Sequence, residues 1–206
     1  MPNWNLYRDQ FPTRYWEIGS FDEKLIHRLN SYVLNYNPKN CLDIGCGALG
    51  TLVLKEFSQN HNISVDMLDP FINLKPNWMN KQISWNNIPK NYYDILVLRG
   101  SINYLSIEQL ISCKNSLKYN GILIANTFLK EPSENWRERK VKNLKGEEGI
   151  EKSRLFNGKV QHQIIFDDYF VEHEFYYYSK EKYMKIFDQI KFEEYGNSTL
   201  IEIKKT

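Results

Sequence analysis

The chain has 206 residues, of which 42% are hydrophobic, 25% charged and 15% aromatic, enough for one domain, or one with an insertion, to bury a real core. Its 27 Lys and Arg against 25 Asp and Glu leave a formal charge of +2, far from the basic excess of a dedicated nucleic-acid binder. Three cysteines without a C-x-x-C pair signal neither a disulfide framework nor a zinc cluster, and an opening without a basic-apolar leader and the lack of about 18 successive apolar residues argue against secretion and a membrane span, so a cytoplasmic setting is expected.

After an aromatic-rich opening, Ser20-Phe21-Asp22-Glu23 reads as a capping box, and Leu25, Ile26, Leu29, Val33 and Tyr36 carry a helix to Asn37-Pro38. Cys41 to Ile44 is a short buried strand, followed by a glycine turn and an apolar helix through Leu52, Val53 and Phe57. Strands are then expected at Ile63–Leu68, more weakly at Lys81–Trp85, and strongly at Tyr93–Leu98. A second capping box, Ser106-Ile107-Glu108-Gln109, opens a helix with Leu110, Ile111 and Leu117 on one face, and Gly121–Phe128 supplies the next strand. Alternating strands and helices imply an α/β fold: a Rossmann-like open sheet, mostly parallel, with helices on both faces.

Between Lys130 and Lys159 the alternation breaks into a hydrophilic segment, read as an insertion or lid, whose basic run Arg137–Lys142 suits a solvated helix face. Val160–Phe166 and Tyr169–Tyr178 then alternate around Asp167-Asp168 as a hairpin. With that turn, paired positions sum to 335 and His162 lies opposite His173, the two polar side chains of an otherwise apolar face. They are either a mutually hydrogen-bonded pair, a proton acceptor for a substrate, or metal ligands if a carboxylate joins them; no metal site is assigned. A helix over about Ser179–Ile190 and two antiparallel strands, Lys191–Tyr195 and Thr199–Lys204, close the chain.

The run Asp43-Ile44-Gly45-Cys46-Gly47-Ala48-Leu49-Gly50 contains G-x-G-x-x-G between a strand and a helix. Its glycines permit a sharp turn and the close approach of a ligand. Asp69, at the end of the next strand, is placed to accept both hydroxyls of a ribose, so the constellation indicates an adenosine-containing ligand. Asp43 argues against a dinucleotide, whose pyrophosphate it would repel. It is compatible with S-adenosylmethionine, which carries an amino group and a sulfonium and no phosphate.

Here the sequence resembles the class I S-adenosylmethionine-dependent methyltransferases. Asp43–Gly47 looks like their first motif and Asp69-Pro70 like the acidic end of their second strand. Tyr93–Leu98 resembles their fourth strand, Asn120–Ile124 the entrance to their fifth, and Tyr178–Ile203 their last helix and antiparallel pair. The resemblance covers roughly residues 20–128 and 178–204. It departs at Ser84-Trp85-Asn86-Asn87, where relatives often place an acid for adenine, and at Arg99-Gly100-Ser101, where no Asn-Pro-Pro-Tyr-like run stands.

The resemblance implies one methyltransferase-like domain over 1–206, with residues 1–19 as a cap and 130–178 as an insertion or lid carrying the hairpin. It implies S-adenosylmethionine as cofactor, with S-adenosylhomocysteine as product. Cofactor-binding candidates are Asp43, Gly45, Cys46, Gly47, Asp69, Pro70, Phe71, Ser84, Trp85 and Arg99. Catalytic candidates are His162 and His173. Tyr15, Tyr104, Trp136 and Tyr176 are substrate-binding candidates, the last three able with Tyr177 and Tyr178 to form an aromatic cage for a cationic amine or simply to line a lid. The expected function is methyl transfer to nitrogen, oxygen or carbon of a small molecule, without a membrane or nucleic-acid partner. Alternatives are other S-adenosylmethionine chemistry, a non-catalytic adenosine-binding module, or a nicotinamide oxidoreductase.

Overall fold

A computed structural model describes residues 20–47, 50–70, 75–127, 132–142, 146–168, 170–195 and 198–206. Helix α1 (Ser20–Asn35) leads into β1 (Asn40–Ile44), α2 (Leu52–His61), β2 (Ser64–Leu68), β3 (Tyr93–Leu98), α3 (Ile107–Ser116) and β4 (Leu117–Thr127). The inserted segment holds β5 (Arg137–Lys142), β6 (Glu148–Phe156), β7 (Lys159–Ile165) and β8 (Phe170–Tyr176), and the chain ends in α4 (Lys180–Ile186), β9 (Gln189–Tyr195) and β10 (Ser198–Lys204). Residues 20–127 with 178–206 form one compact unit, and the described residues of 132–177 belong to another.

The larger unit is a six-stranded sheet in the order β2-β1-β3-β4-β10-β9, the first four strands parallel and the last two antiparallel. The expected Rossmann-like fold is therefore present. Alternate residues of the strands, Cys41, Val65, Met67, Ile95, Val97 and Ile124 among them, pack against Leu25 and Leu29 of α1 and Leu54 and Phe57 of α2. Helix α3 buries Leu110 and Cys113, α4 buries Tyr183, and Lys114 ties the two through the Ile186 carbonyl and Asp188. The box at Ser106 closes as expected: its hydroxyl accepts from Gln109 N, and the side-chain Oε1 of Gln109 accepts from Ser106 N. The Ser20 side chain, on which the first box depends, lies outside the described residues.

Four local expectations are corrected. The weak strand at Lys81–Trp85 is reduced to one bridge, Met67 to Gln82, with Trp85–Asn87 in a 3₁₀ turn; Lys81 and Gln82 are exposed, so the segment has too little apolar face to join the sheet. Helix α3 ends at Ser116, so Leu117 begins a strand. The closing helix stops at Ile186, because Ile190 is paired with Ile203 in the sheet. The basic run Arg137–Lys142 is strand β5, whose charges sit against opposite charges of β6, as Arg139 does against Glu151 and Glu138 against Lys152.

The smaller unit's sheet has the antiparallel order β5-β6-β7-β8. Asn157-Gly158, both at positive φ, form a two-residue turn between β6 and β7. The register of β7 and β8 is the expected one, from Lys159 opposite Tyr176 to Ile165 opposite Phe170, with His162 opposite His173. No described helix is long and apolar enough to cross a membrane.

Candidate functional site

The glycine turn lies at the carboxyl end of β1, beside that of β2. Gly45 has φ +68, and a Cβ there would lie 2.4 Å from Ser101 Cβ, so only glycine lets the β3 loop approach. Ser101 Oγ in turn donates to the Ile44 carbonyl at 2.5 Å. Gly47 has φ +71 and open space on its Cβ side, which is what a turn admitting a ligand needs. Gly50 packs under Trp78, whose ring atom would be 2.5 Å from a Cβ.

The acids hold this turn together. Asp43 is fully buried, and its two oxygens accept from Thr51 N at 2.9 Å and Thr51 Oγ at 3.0 Å, fixing the residue that precedes α2. Burial pushes its carboxyl up to about 7, although the Thr51 donors and Arg99 pull the other way. These two hydrogen bonds thus go to the protein's own turn, where the sequence suggested a ligand's positive charge. Asp69 Oδ2 accepts from Gly47 N at 2.8 Å, so the ribose candidate and the turn are joined. Burial raises the Cys46 thiol far above its ordinary range, which leaves it a packing group.

Other candidates are more peripheral. Pro70 and Ser84 are exposed and Trp85 is half-buried; Phe71 and Tyr15 lie outside the described residues. Arg99 makes a two-pronged pair with Asp22 of α1, at 2.8 and 2.9 Å, so its guanidinium anchors the helix. Tyr104 is half-buried in a 3₁₀ turn opened by Ser101, and Tyr178 is buried with its hydroxyl on the Leu105 carbonyl. Trp136 faces the Arg154 guanidinium at 4.6 Å and Tyr176 faces the Lys159 ammonium at 5.4 Å. These two rings therefore already bear protein cations, and Tyr176 lies on the sheet face opposite His173.

The histidines do touch: His162 Nδ1 is 3.1 Å from His173 Nε2. Sequence reading missed their third partner, Glu151, whose Oε1 is 2.7 Å from His162 Nε2 and whose Oε2 accepts from Arg139 Nε at 2.5 Å. Burial alone would raise Glu151, but the hydrogen bonds from His162 and Arg139 outweigh it and hold the carboxyl at about 2. Burial, with His162 alongside, lowers His173 to about 3. Glu151, His162 and His173 form a chain of contacts, and among the described residues no group of three or more His, Cys, Asp and Glu converges to hold a metal. The Asn157-Gly158 turn was the available signal for the β6 strand that supplies Glu151. Ser101, Thr51 and Trp78 are the other overlooked site residues, none marked by spacing.

No protein-family model matches the chain. It is 27% identical to a phosphoethanolamine N-methyltransferase of Plasmodium falciparum over a 195-residue alignment covering 80% of this chain and 71% of that one. In structure it is similar to a protein of Pyrococcus horikoshii OT3, with TM-score 0.60, 14% identity, and 97% and 98% of the two chains covered. A Burkholderia thailandensis 1,6-didemethyltoxoflavin-N1-methyltransferase, solved with 1,6-didemethyltoxoflavin and S-adenosylhomocysteine, matches with TM-score 0.53 and 10% identity over 93% of this chain and 80% of that one.

Proposed function

We propose that the chain is a class I S-adenosylmethionine-dependent methyltransferase, moving a methyl group from S-adenosylmethionine to a nitrogen, oxygen or carbon nucleophile of a small molecule, a reading that its similarity to the Plasmodium enzyme supports. The observation that carries this reading is the glycine turn, open at Gly47 and joined through the Gly47 N–H to Asp69. Such a turn at the carboxyl ends of parallel strands is where open α/β sheets take ligands. When bound, S-adenosylmethionine supplies an electrophilic methyl group on a sulfonium and leaves as S-adenosylhomocysteine.

The protein's own task is alignment and exclusion of water. Asp43 fixes the start of α2 through Thr51, which sets the curvature of Gly45-Cys46-Gly47. Asp69 holds the turn and offers its carboxylate to ribose hydroxyls. Pro70, Ser84 and Trp85 are assigned to the adenine side. The Plasmodium relative's name makes phosphoethanolamine the first acceptor to try.

The test is calorimetric titration with S-adenosylmethionine, S-adenosylhomocysteine and NAD, for the wild-type chain and Asp69→Asn, which retains an acceptor for Gly47 N–H but loses the charge. Binding of the first two, weakened about tenfold or more in the variant, supports the reading. Binding of NAD instead, or of none of the three, overturns it.

A further inference from the structure

The loop that leaves β3 is held residue by residue. Arg99 is paired with Asp22, Ser101 Oγ donates to the Ile44 carbonyl, and Asn103 Oδ1 accepts from Thr127 Oγ1 at 2.9 Å. Between them, Gly100 N donates to Asn126 Oδ1 at 2.5 Å. A backbone N–H can only donate, so the Asn126 amide turns its oxygen toward this loop and its NH2 group away from it. Asn126 is half-buried at the carboxyl end of β4, one residue beyond the pair Leu98–Ala125 that joins β4 to β3. Its Nδ2 donates to no described residue. Gly100, at φ +71, has open space where a Cβ would stand, as Gly47 does.

Asn126 and Gly100 belong to the same compact unit as the glycine turn, and the strand order fixes their side of it. In the row β2-β1-β3-β4, β2 lies on one side of β1 and β3 on the other, the arrangement that opens a crevice at the carboxyl ends of β1 and β3. Asp69, assigned to the ribose, follows β2 at one end of this row, and Asn126 stands on β4 at the other. Strand spacing puts β4 about 10 Å beyond β1, so the side left for a small methyl acceptor is the one that carries Asn126. We propose that Asn126 is the residue that selects this acceptor, its NH2 group donating to a phosphate, carboxylate or carbonyl oxygen of the molecule to be methylated. This rests on the reading proposed above. The Gly100 N–H sets the amide's direction before any ligand arrives, so little rotamer freedom is lost on binding. A molecule without such an oxygen leaves the NH2 group unpaired once water is excluded, and is rejected for that reason.

The test is nitrogen-15 NMR of the Asn126 side-chain NH2 group in the full chain saturated with S-adenosylhomocysteine, titrated with phosphoethanolamine and, separately, with ethanolamine, which lacks the phosphate oxygens. The Asn126 signals are expected to shift saturably with phosphoethanolamine, and ethanolamine to bind about tenfold more weakly or worse. Asn126→Asp keeps an oxygen for the Gly100 N–H and loses the donor. In this variant the dissociation constant and KM for phosphoethanolamine should rise about tenfold or more, with the affinity for S-adenosylhomocysteine unchanged. Asn126 signals that phosphoethanolamine leaves unmoved, or an unaltered affinity for it in the variant, overturn the assignment while leaving cofactor binding standing. Signals that move on adding S-adenosylhomocysteine alone, with its affinity lost in the variant, give the donor to the cofactor's carboxylate and overturn the assignment too. If the variant does not fold, the wild-type titrations decide by themselves. Failure of the wild-type chain to bind S-adenosylhomocysteine overturns methyl transfer, and the choice of acceptor with it.

Discussion

Asp43 illustrates how one residue type supports two different roles. Its place two residues before the first glycine was legible in the sequence and argued against a pyrophosphate. Its actual partners, the Thr51 N–H and hydroxyl, were not, because they depend on how the turn folds back on β1. The carboxyl's rise from 3.8 to about 7 through burial has a consequence for stability. A folded state that holds this proton more tightly than the unfolded chain is favoured below about pH 4 and loses that advantage as pH rises through 7. Asp43→Asn can still accept from Thr51 N and donate to Thr51 Oγ. In urea unfolding, the variant should lack a decline on the order of a few kcal/mol that wild type shows over this window; parallel pH profiles for the two proteins would refute the buried titration.

Elements with strong local signals were predictable and those stabilised by partners were not. The Ser106–Gln109 box forms as read, and Ser106→Ala should cost about 1 kcal/mol, measured as a shift of the denaturation midpoint at constant slope. The β7–β8 register also followed from alternation, since a slip of one residue would turn Val160, Ile164 and Val171 out of the face they share with His162 and His173. By contrast, β5 and β6 carry too few apolar residues for periodicity to reveal them. They are strands because opposite charges face each other across the pair, as Lys152 does Glu138, and such complementarity is visible only once the register is known. For the same reason Glu151 was absent from the candidate site.

At the scale of the whole molecule, a cofactor that binds only the folded glycine turn must stabilise it by mass action. At about one hundred times its dissociation constant, S-adenosylmethionine should contribute about 2.7 kcal/mol and raise Tm by about 5 °C or more. A melting scan showing no rise with it, beside an unchanged scan with NAD, would leave the turn without a ligand. What the sequence determined by itself was the alternating α/β order, the glycine turn with Asp43 and Asp69, and the pairing of His162 with His173. All of these rest on local periodicity, on backbone freedom at glycine, or on the two-residue repeat of a strand. Only the tertiary structure decided that Arg99 belongs to Asp22, that the aromatic candidates Trp136 and Tyr176 face Arg154 and Lys159, and that a carboxylate from β6 completes the histidine pair. Those contacts join residues from different elements, and no local propensity encodes the direction in which a charged side chain will find its partner.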